Sequence, residues 1–305
     1  MSTKQRNLDG KTAIVTGSSR GIGAGIAIEL AERGVRVVVN HVSPRSAKSG
    51  EQVVEKITAA GRTALLVQAD LASMDGIQKL VQETVNFSLD KKIDIVVHNA
   101  AFGDDCYLED VTEEFYYKQT DTNLKGPIFL TQAILPHLTT SGGRIVLLSS
   151  ISARMAFTSQ TVYAATKAGC EALARCWSAA LGKKYGATVN CVNPGPVGTE
   201  MYWESDPEFL KSMEPIIEAT PAAPRVGEVS DIVPLVARVD TQALCYESEF
   251  SQSLGQEEIF STRLTKSAQE SVDPSSSGFA SLAAQMRFCY YILPPPPGPR
   301  VENLA

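Results

Sequence analysis

Tyr163 and Lys167 stand four residues apart in Tyr163-Ala164-Ala165-Thr166-Lys167. On a helix that spacing sets a phenol and an ammonium on one face, one turn apart. The pair alone also fits an ordinary surface contact, but two other polar residues favour chemistry. Ser150 follows the apolar run Arg144-Ile145-Val146-Leu147-Leu148, and strand ends are where α/β sheets meet their ligands. Ser149 is its rival; neighbouring side chains of a strand point oppositely, so only one of the two can serve. Asn123, in Thr122-Asn123-Leu124-Lys125-Gly126, is a polar residue in the middle of a helical stretch that is otherwise largely apolar.

A second constellation lies near the start. Thr16-Gly17-Ser18-Ser19-Arg20-Gly21-Ile22-Gly23 falls between a short β-branched run and a helical pattern (Ile22, Ile26, Ile28, Leu30). Glycines let a chain turn tightly and approach a pyrophosphate, which then sits on the helix N-terminal N–H groups. Alone such a cluster can be a mere turn. Between the first strand and first helix of a parallel sheet it is a dinucleotide cradle.

The elements that must position these residues follow from periodicity. Runs at 12–16, 35–39, 64–67, 93–97, 144–148 and 188–192 are short and β-branched, and each pair is separated by a segment of helix length. Continuous apolar strands alternating with helices predict a parallel sheet covered on both faces. Right-handed crossovers make it a doubly wound, Rossmann-type sheet. The 305 residues are 44% hydrophobic and 20% charged with a net charge of −6, enough for a core and without the basic blocks that nucleic acid or an anionic membrane would need. No apolar run spans a bilayer, the first residues show no signal peptide, and six cysteines form no metal-type pair. The reading is a soluble, cytoplasmic protein with no metal.

Taken in order, Thr16–Gly23, Asp70-Leu71, His98-Asn99-Ala100-Ala101, Asn123, Ser150, Tyr163 with Lys167, and Pro194-Gly195 make a specific pattern. The sequence resembles the short-chain dehydrogenase/reductase family over about residues 8–237. Within it the chain is most similar to NADPH-dependent fungal naphthol and polyketide ketoreductases and to β-ketoacyl reductases. The resemblance implies hydride transfer to a ketone, with Tyr163 as general acid. A free tyrosine has a pKa of about 10. One ammonium at about 4 Å supplies roughly the 4 kcal/mol that lowers it by about 3 units. Lys167 would do this and also hold the nicotinamide ribose. Ser150 would hold the carbonyl oxygen, and Asn123 would anchor a water.

The resemblance further implies that Gly17, Ser19, Arg20, Gly21, Ile22 and Gly23 cradle the cofactor. Asp70, Leu71, Asn99 and Ala100 would line its adenosine end, and Pro194, Gly195, Val197 and Thr199 the nicotinamide end, with Tyr163 and Lys167. Strand two runs into Asn40-His41-Val42-Ser43 with none of the acid that grips an NAD ribose. Arg20, Asn40 and Ser43, with Arg45 and Lys48 close behind, would welcome a 2′-phosphate. NADP(H) is the expected cofactor; His41 could touch the phosphate or adenine, but is expected on an exposed loop. His98 and Ala101 depart from the family's Asn-Asn-Ala-Gly.

Met201, Tyr202, Trp203 and Phe209, with Met155 and Phe157, are read as an apolar pocket for an aromatic or polyketide-like ketone, with simple core packing an equal alternative for Phe209 and Met155. Residues 1–237 form the predicted domain. Arg225–Ala237 matches the family's penultimate helix, but the final strand expected next has no counterpart. Residues 238–305 carry ten serines and six prolines without strong periodicity, and read as a low-order tail with one weak helix near 280–288. A homo-oligomer is implied by the family and put in question by the altered C-terminus. Two other readings stay open: a catalytically impaired nucleotide-binding or interaction protein, and an NAD-dependent alcohol oxidase of the same fold.

Overall fold

Six strands form one sheet in the order β3-β2-β1-β4-β5-β6, every neighbouring pair parallel. They are β1 (Thr12–Val15), β2 (Arg36–His41), β3 (Ala64–Gln68), β4 (Ile95–His98), β5 (Arg144–Leu148) and β6 (Thr188–Val192). The computed structural model describes residues 8–140, 142–220 and 223–238. The expected tail helix and any strand after Ala237 lie outside them.

Side chains alternate through the sheet as the pleat requires. Ala13, Val15, Val37, Val39, Val97, Val146 and Leu148 face one core, which α1 (Gly21–Glu32), α2 (Ala47–Ala59) and α9 (Val229–Arg238) cover. Ile14, Val38, Val96, Ile145 and Leu147 face the other, beneath α3 (Met74–Phe87), α5 (Gly126–Ile134) and α6 (Thr161–Tyr185). Both faces are buried, which is why these strands read as unbroken apolar runs. Three further α-helices lie among the described residues: α4 (Glu113–Thr120) beside α6, and α7 (Glu200–Trp203) and α8 (Pro207–Glu218) after β6.

The strand order reverses between β1 and β4, so the loops leaving their carboxyl ends part to opposite sides and leave a crevice. Asn123 sits in a π-turn, Asp121–Lys125, between α4 and α5. Such turns occur disproportionately at functional sites. Helix α6 ends at Gly186, whose left-handed backbone (φ 62°) closes its last turn.

Candidate active site

The carboxyl ends of the strands open on a cleft of about 820 Å3. Its floor is a place where backbones touch. Gly17 has φ 59°, and a Cβ there would stand 2.8 Å from the Ala100 Cα. A Cβ on Gly23 would stand 2.6 Å from the Gly17 carbonyl oxygen. Two buried or half-buried amides brace the loop. Asn99 Nδ2 donates to the carbonyls of Thr16 (2.9 Å) and Gly17 (3.0 Å). The Gly17 N–H donates to Asn40 Oδ1 (3.0 Å), while Asn40 Nδ2 donates to the Ala69 carbonyl (3.0 Å). Asn40 therefore lines the cleft with its amide already committed. Arg20, Ser43 and Arg45 line the same end; Lys48 is not among the lining residues.

No side chain caps the N-terminus of α1 and no acid lies in its first turn. Its open N–H groups suit an anion. Ser19, Arg20, Gly21 and Ile22 line this end, whereas Gly23 packs below it. Arg20 reaches across to Glu200 of α7 at 3.1 Å, both side chains more than half exposed. Asp70 and Leu71 wall the cleft after β3, and the Asp70 carboxylate accepts the Ala72 N–H at 2.9 Å. Pro194, Gly195, Val197 and Thr199 wall it after β6.

Tyr163, in the first turn of α6, and Lys167, one turn on, meet as their spacing predicts. The buried Lys167 ammonium lies 5.5 Å from the Tyr163 ring centroid and donates to the Leu148 carbonyl at 2.6 Å. Ser150 Oγ lines the cleft, accepting the Ser152 N–H at 3.1 Å. Its rival is spent: Ser149 Oγ donates to the Lys167 carbonyl at 2.8 Å. The amide of Asn123 is committed to its neighbours. Its side chain takes the Phe102 N–H (2.8 Å) and donates to the Phe102 carbonyl (2.9 Å) and Thr166 Oγ1 (3.0 Å), outside the cleft lining. Its main-chain carbonyl accepts the Cys170 thiol at 3.5 Å.

At the far end Met201, Tyr202, Phe209 and Met213 line the cleft. Met155 and Phe157 do not. They pack with Ile151, Met213 and Ile216 in a small separate core, where the rings of Phe157 and Phe209 lie 5.4 Å apart. Trp203 is 61% exposed and stands edge-on to Tyr202. His41 is likewise corrected: it is buried at the end of β2, its Nδ1 3.0 Å from the Ser43 carbonyl. Sequence reasoning missed Phe102, Gly103, Lys118, Ser152 and Gln160, all of which line the cleft. A Cβ on Gly103 would come within 3.2 Å of Tyr163 Cε2, and Ser152 Oγ donates to Gln160 Oε1 at 2.6 Å. No spacing rule marks these residues, because tertiary approach alone brings them to the site. Among the described residues, no cluster of His, Cys, Asp and Glu could hold a metal ion, and no helix is long and apolar enough to cross a membrane.

The family model described as short chain dehydrogenase matches residues 11–208. The chain belongs to that family. It is 45% identical over 230 residues to the short-chain dehydrogenase/reductase FrzI of a Cladobotryum species, covering 74% of this chain and 87% of that protein. It is 41% identical over 198 residues to the hydroxynaphthalene reductase arp2 of Aspergillus fumigatus, covering 65% and 70%. Among solved structures, angucycline C-6 ketoreductase LanV with bound NADP superposes with a TM-score of 0.70 at 31% identity, over 77% of this chain and 90% of that one.

As a short-chain dehydrogenase the chain is an oxidoreductase, and its two departures from the family pattern can be placed. Ala101 lines the cleft, so its methyl group faces the space that a dinucleotide would enter. His98 lies behind it, fully buried, with Nε2 2.9 Å from Thr131 Oγ1 and its ring tilted against Trp177. Its Nδ1 has no hydrogen-bond partner among the described residues, and burial pushes its pKa down to about 3. The imidazole is held neutral. It is a core residue and takes no part in proton transfer at the cleft.

Proposed function

We propose that this chain reduces a ketone to an alcohol with NADPH, on an aromatic or polyketide-like substrate. The observation that carries the reading is convergence. Ser150, Tyr163 and Lys167 share one cleft with an uncapped helix N-terminus and a glycine loop that leaves no room for a Cβ. The residues present fit a dinucleotide: Gly17, Ser19, Gly21 and Ile22 would meet the pyrophosphate, Asp70, Leu71, Asn99 and Ala100 the adenosine half, and Pro194, Gly195, Val197 and Thr199 the nicotinamide half. Arg20 and Arg45, with no acid at the end of β2, favour the 2′-phosphate form. Relatives named as hydroxynaphthalene and elsinochrome reductases, and an angucycline ketoreductase solved with NADP, point the same way.

When bound, the reduced nicotinamide supplies the hydride. Tyr163 donates its phenolic proton to the carbonyl oxygen as charge develops there. Lys167, its ammonium beside the phenol, stabilises the phenolate left behind and would hold the nicotinamide ribose. Ser150 donates a hydrogen bond to the same oxygen. Asn123 sets the Phe102 backbone at the cleft wall. Met201, Tyr202, Phe209 and Met213 offer an apolar surface that suits an aromatic ketone. The test is NADPH oxidation with a naphthol- or quinone-type ketone. Turnover by the parent and its loss in Tyr163→Phe support the reading; a parent that binds NADPH and reduces no such ketone overturns it.

A further inference from the structure

Beyond the residues that touch the cleft, one buried carboxylate joins the three segments that build it. Glu171 follows Tyr163 and Lys167 at the same four-residue interval on α6, and its side chain is only 8% exposed. Arg154 grips it with both arms of the guanidinium: Nε stands 3.0 Å from Oε1 and the Nη2 amine 3.0 Å from Oε2. Asn193 Nδ2 donates to the same Oε1. A carboxylate so buried persists only where charge and hydrogen bonds answer it. A two-armed pair of this kind fixes direction as well as distance.

Each partner belongs to a working part of the site. Arg154 ends the turn that begins at Ser150, a turn held by Ala153 N–H to the Ser150 carbonyl at 3.0 Å and Arg154 N–H to the Ile151 carbonyl at 2.9 Å. Asn193 immediately precedes Pro194-Gly195 at the end of β6. It is 1% exposed, and its Oδ1 has no partner among the described residues, so the bond to Glu171 orients the amide. The same two segments also meet directly, Ile151 N–H donating to the Pro194 carbonyl at 3.1 Å. Removing Glu171 would take from Arg154 and Asn193 the carboxylate that both bind, while leaving Tyr163, Lys167 and the glycine loop in place.

We propose that Glu171 is a positioning residue for ketone reduction, clamping the Ser150 turn and the Asn193–Gly195 segment to the catalytic helix. The proposal rests on the function proposed above. Its test compares Glu171→Gln and Arg154→Lys with the parent, each as the full chain. Three quantities are read: the fraction of chains that bind NADPH, the NADPH Kd, and kcat and KM for the ketone per NADPH-binding site. Misplacing a reacting group by about 1 Å can cost about a hundredfold, so a fall of about tenfold or more in kcat per site is expected in Glu171→Gln. NADPH Kd should stay within about threefold, since the loop that holds most of the dinucleotide is untouched. Arg154→Lys keeps the charge and loses the fork, and should fall in the same direction by less. A kcat per site within twofold of the parent in both variants, with only the melting temperature or the binding fraction reduced, would show a structural clamp and overturn the positioning role. If Glu171→Gln does not fold, Arg154→Lys, whose side chain is 40% exposed, decides by the same readout. A parent that binds NADPH but turns over no ketone overturns the functional reading itself, an outcome visible before any variant is measured.

Discussion

The two ends of the cleft are built by different physics. At the glycine loop the chain achieves its geometry with backbone: Gly17 against Ala100, Gly23 against the Gly17 carbonyl, and two asparagine amides that lock the loop to β3 and β4. At the substrate end, α7 and α8 rest on a small core whose buried members are Ile151, Met213 and Ile216, and Trp203 and Met201 stay largely exposed. Segments with few buried contacts open at lower free-energy cost. The glycine-loop end is set by backbone contact, and the far end by side chains packed on a smaller core.

The largest effect expected belongs to neither end. Tyr163→Phe should lower kcat by about a thousandfold, in the range general acids contribute, with NADPH Kd unchanged within threefold. Single-turnover NADPH oxidation beside a binding titration would show it, and a comparable loss of affinity would mean that the phenol belongs to the cradle. Next, Gly17→Ala puts a Cβ against backbone that cannot yield, at a positive φ that costs a side chain about 1–2 kcal/mol before any clash. NADPH Kd should weaken by about thirtyfold or more, beyond that strain alone, and isothermal titration reads it. An unchanged Kd would dissolve the contrast between the two ends.

Acid tests the ground between them. His98 has its pKa lowered by burial to about 3 from 6.5, so the folded protein binds fewer protons than the unfolded chain. Its contribution is complete above pH 6.5 and is lost as pH falls towards 3. Between pH 7 and pH 5 this group alone should remove about 2 kcal/mol. Urea midpoints at the two pH values, in the parent and in His98→Asn, should show a shallower loss in the variant.

At the cover, Met213→Ala opens a hole in the smallest core. Such truncations cost about 2–5 kcal/mol where packing is complete. Because the loss is local, ketone KM should rise by about tenfold while NADPH Kd holds. Steady-state kinetics at saturating NADPH separate the two. The smallest effect is Arg20→Ala, which should cut the NADPH-to-NADH preference in kcat/KM by about tenfold, the worth of one charge-assisted contact. Its exposed pair with Glu200 contributes little to stability, so a changed melting temperature with an unchanged preference would move the phosphate site towards Arg45.

Much of this was legible because it is local. The six strands announced themselves by β-branched runs, and the observed bounds differ by a residue or two, as at β4, which begins at Ile95 where the apolar run begins at Ile93. Tyr163 and Lys167 were readable from a four-residue interval on one helix. His41 was misread because a polar residue after a strand resembles a loop, while the strand itself ran on to residue 41 and buried it. Met155, Phe157 and Trp203 were misread because hydrophobicity marks a residue for packing without saying against what.

By itself, then, the amino-acid sequence determined the residue types, the helix faces and the places where only glycine suits the backbone, since those depend on neighbours within a few residues. It determined that a parallel sheet forms and that a glycine loop opens its first helix. The tertiary structure alone decided that the Ser149 hydroxyl is committed to the Lys167 carbonyl, that Asn40 and Asn123 brace backbone, and that Glu171 meets Arg154 and Asn193. Those pairings join residues 17 to 43 positions apart in the chain. No local propensity encodes such distances. They are set when the sheet orders its strands and the helices settle on its two faces, and only then does a buried amide or carboxylate find the group that satisfies it.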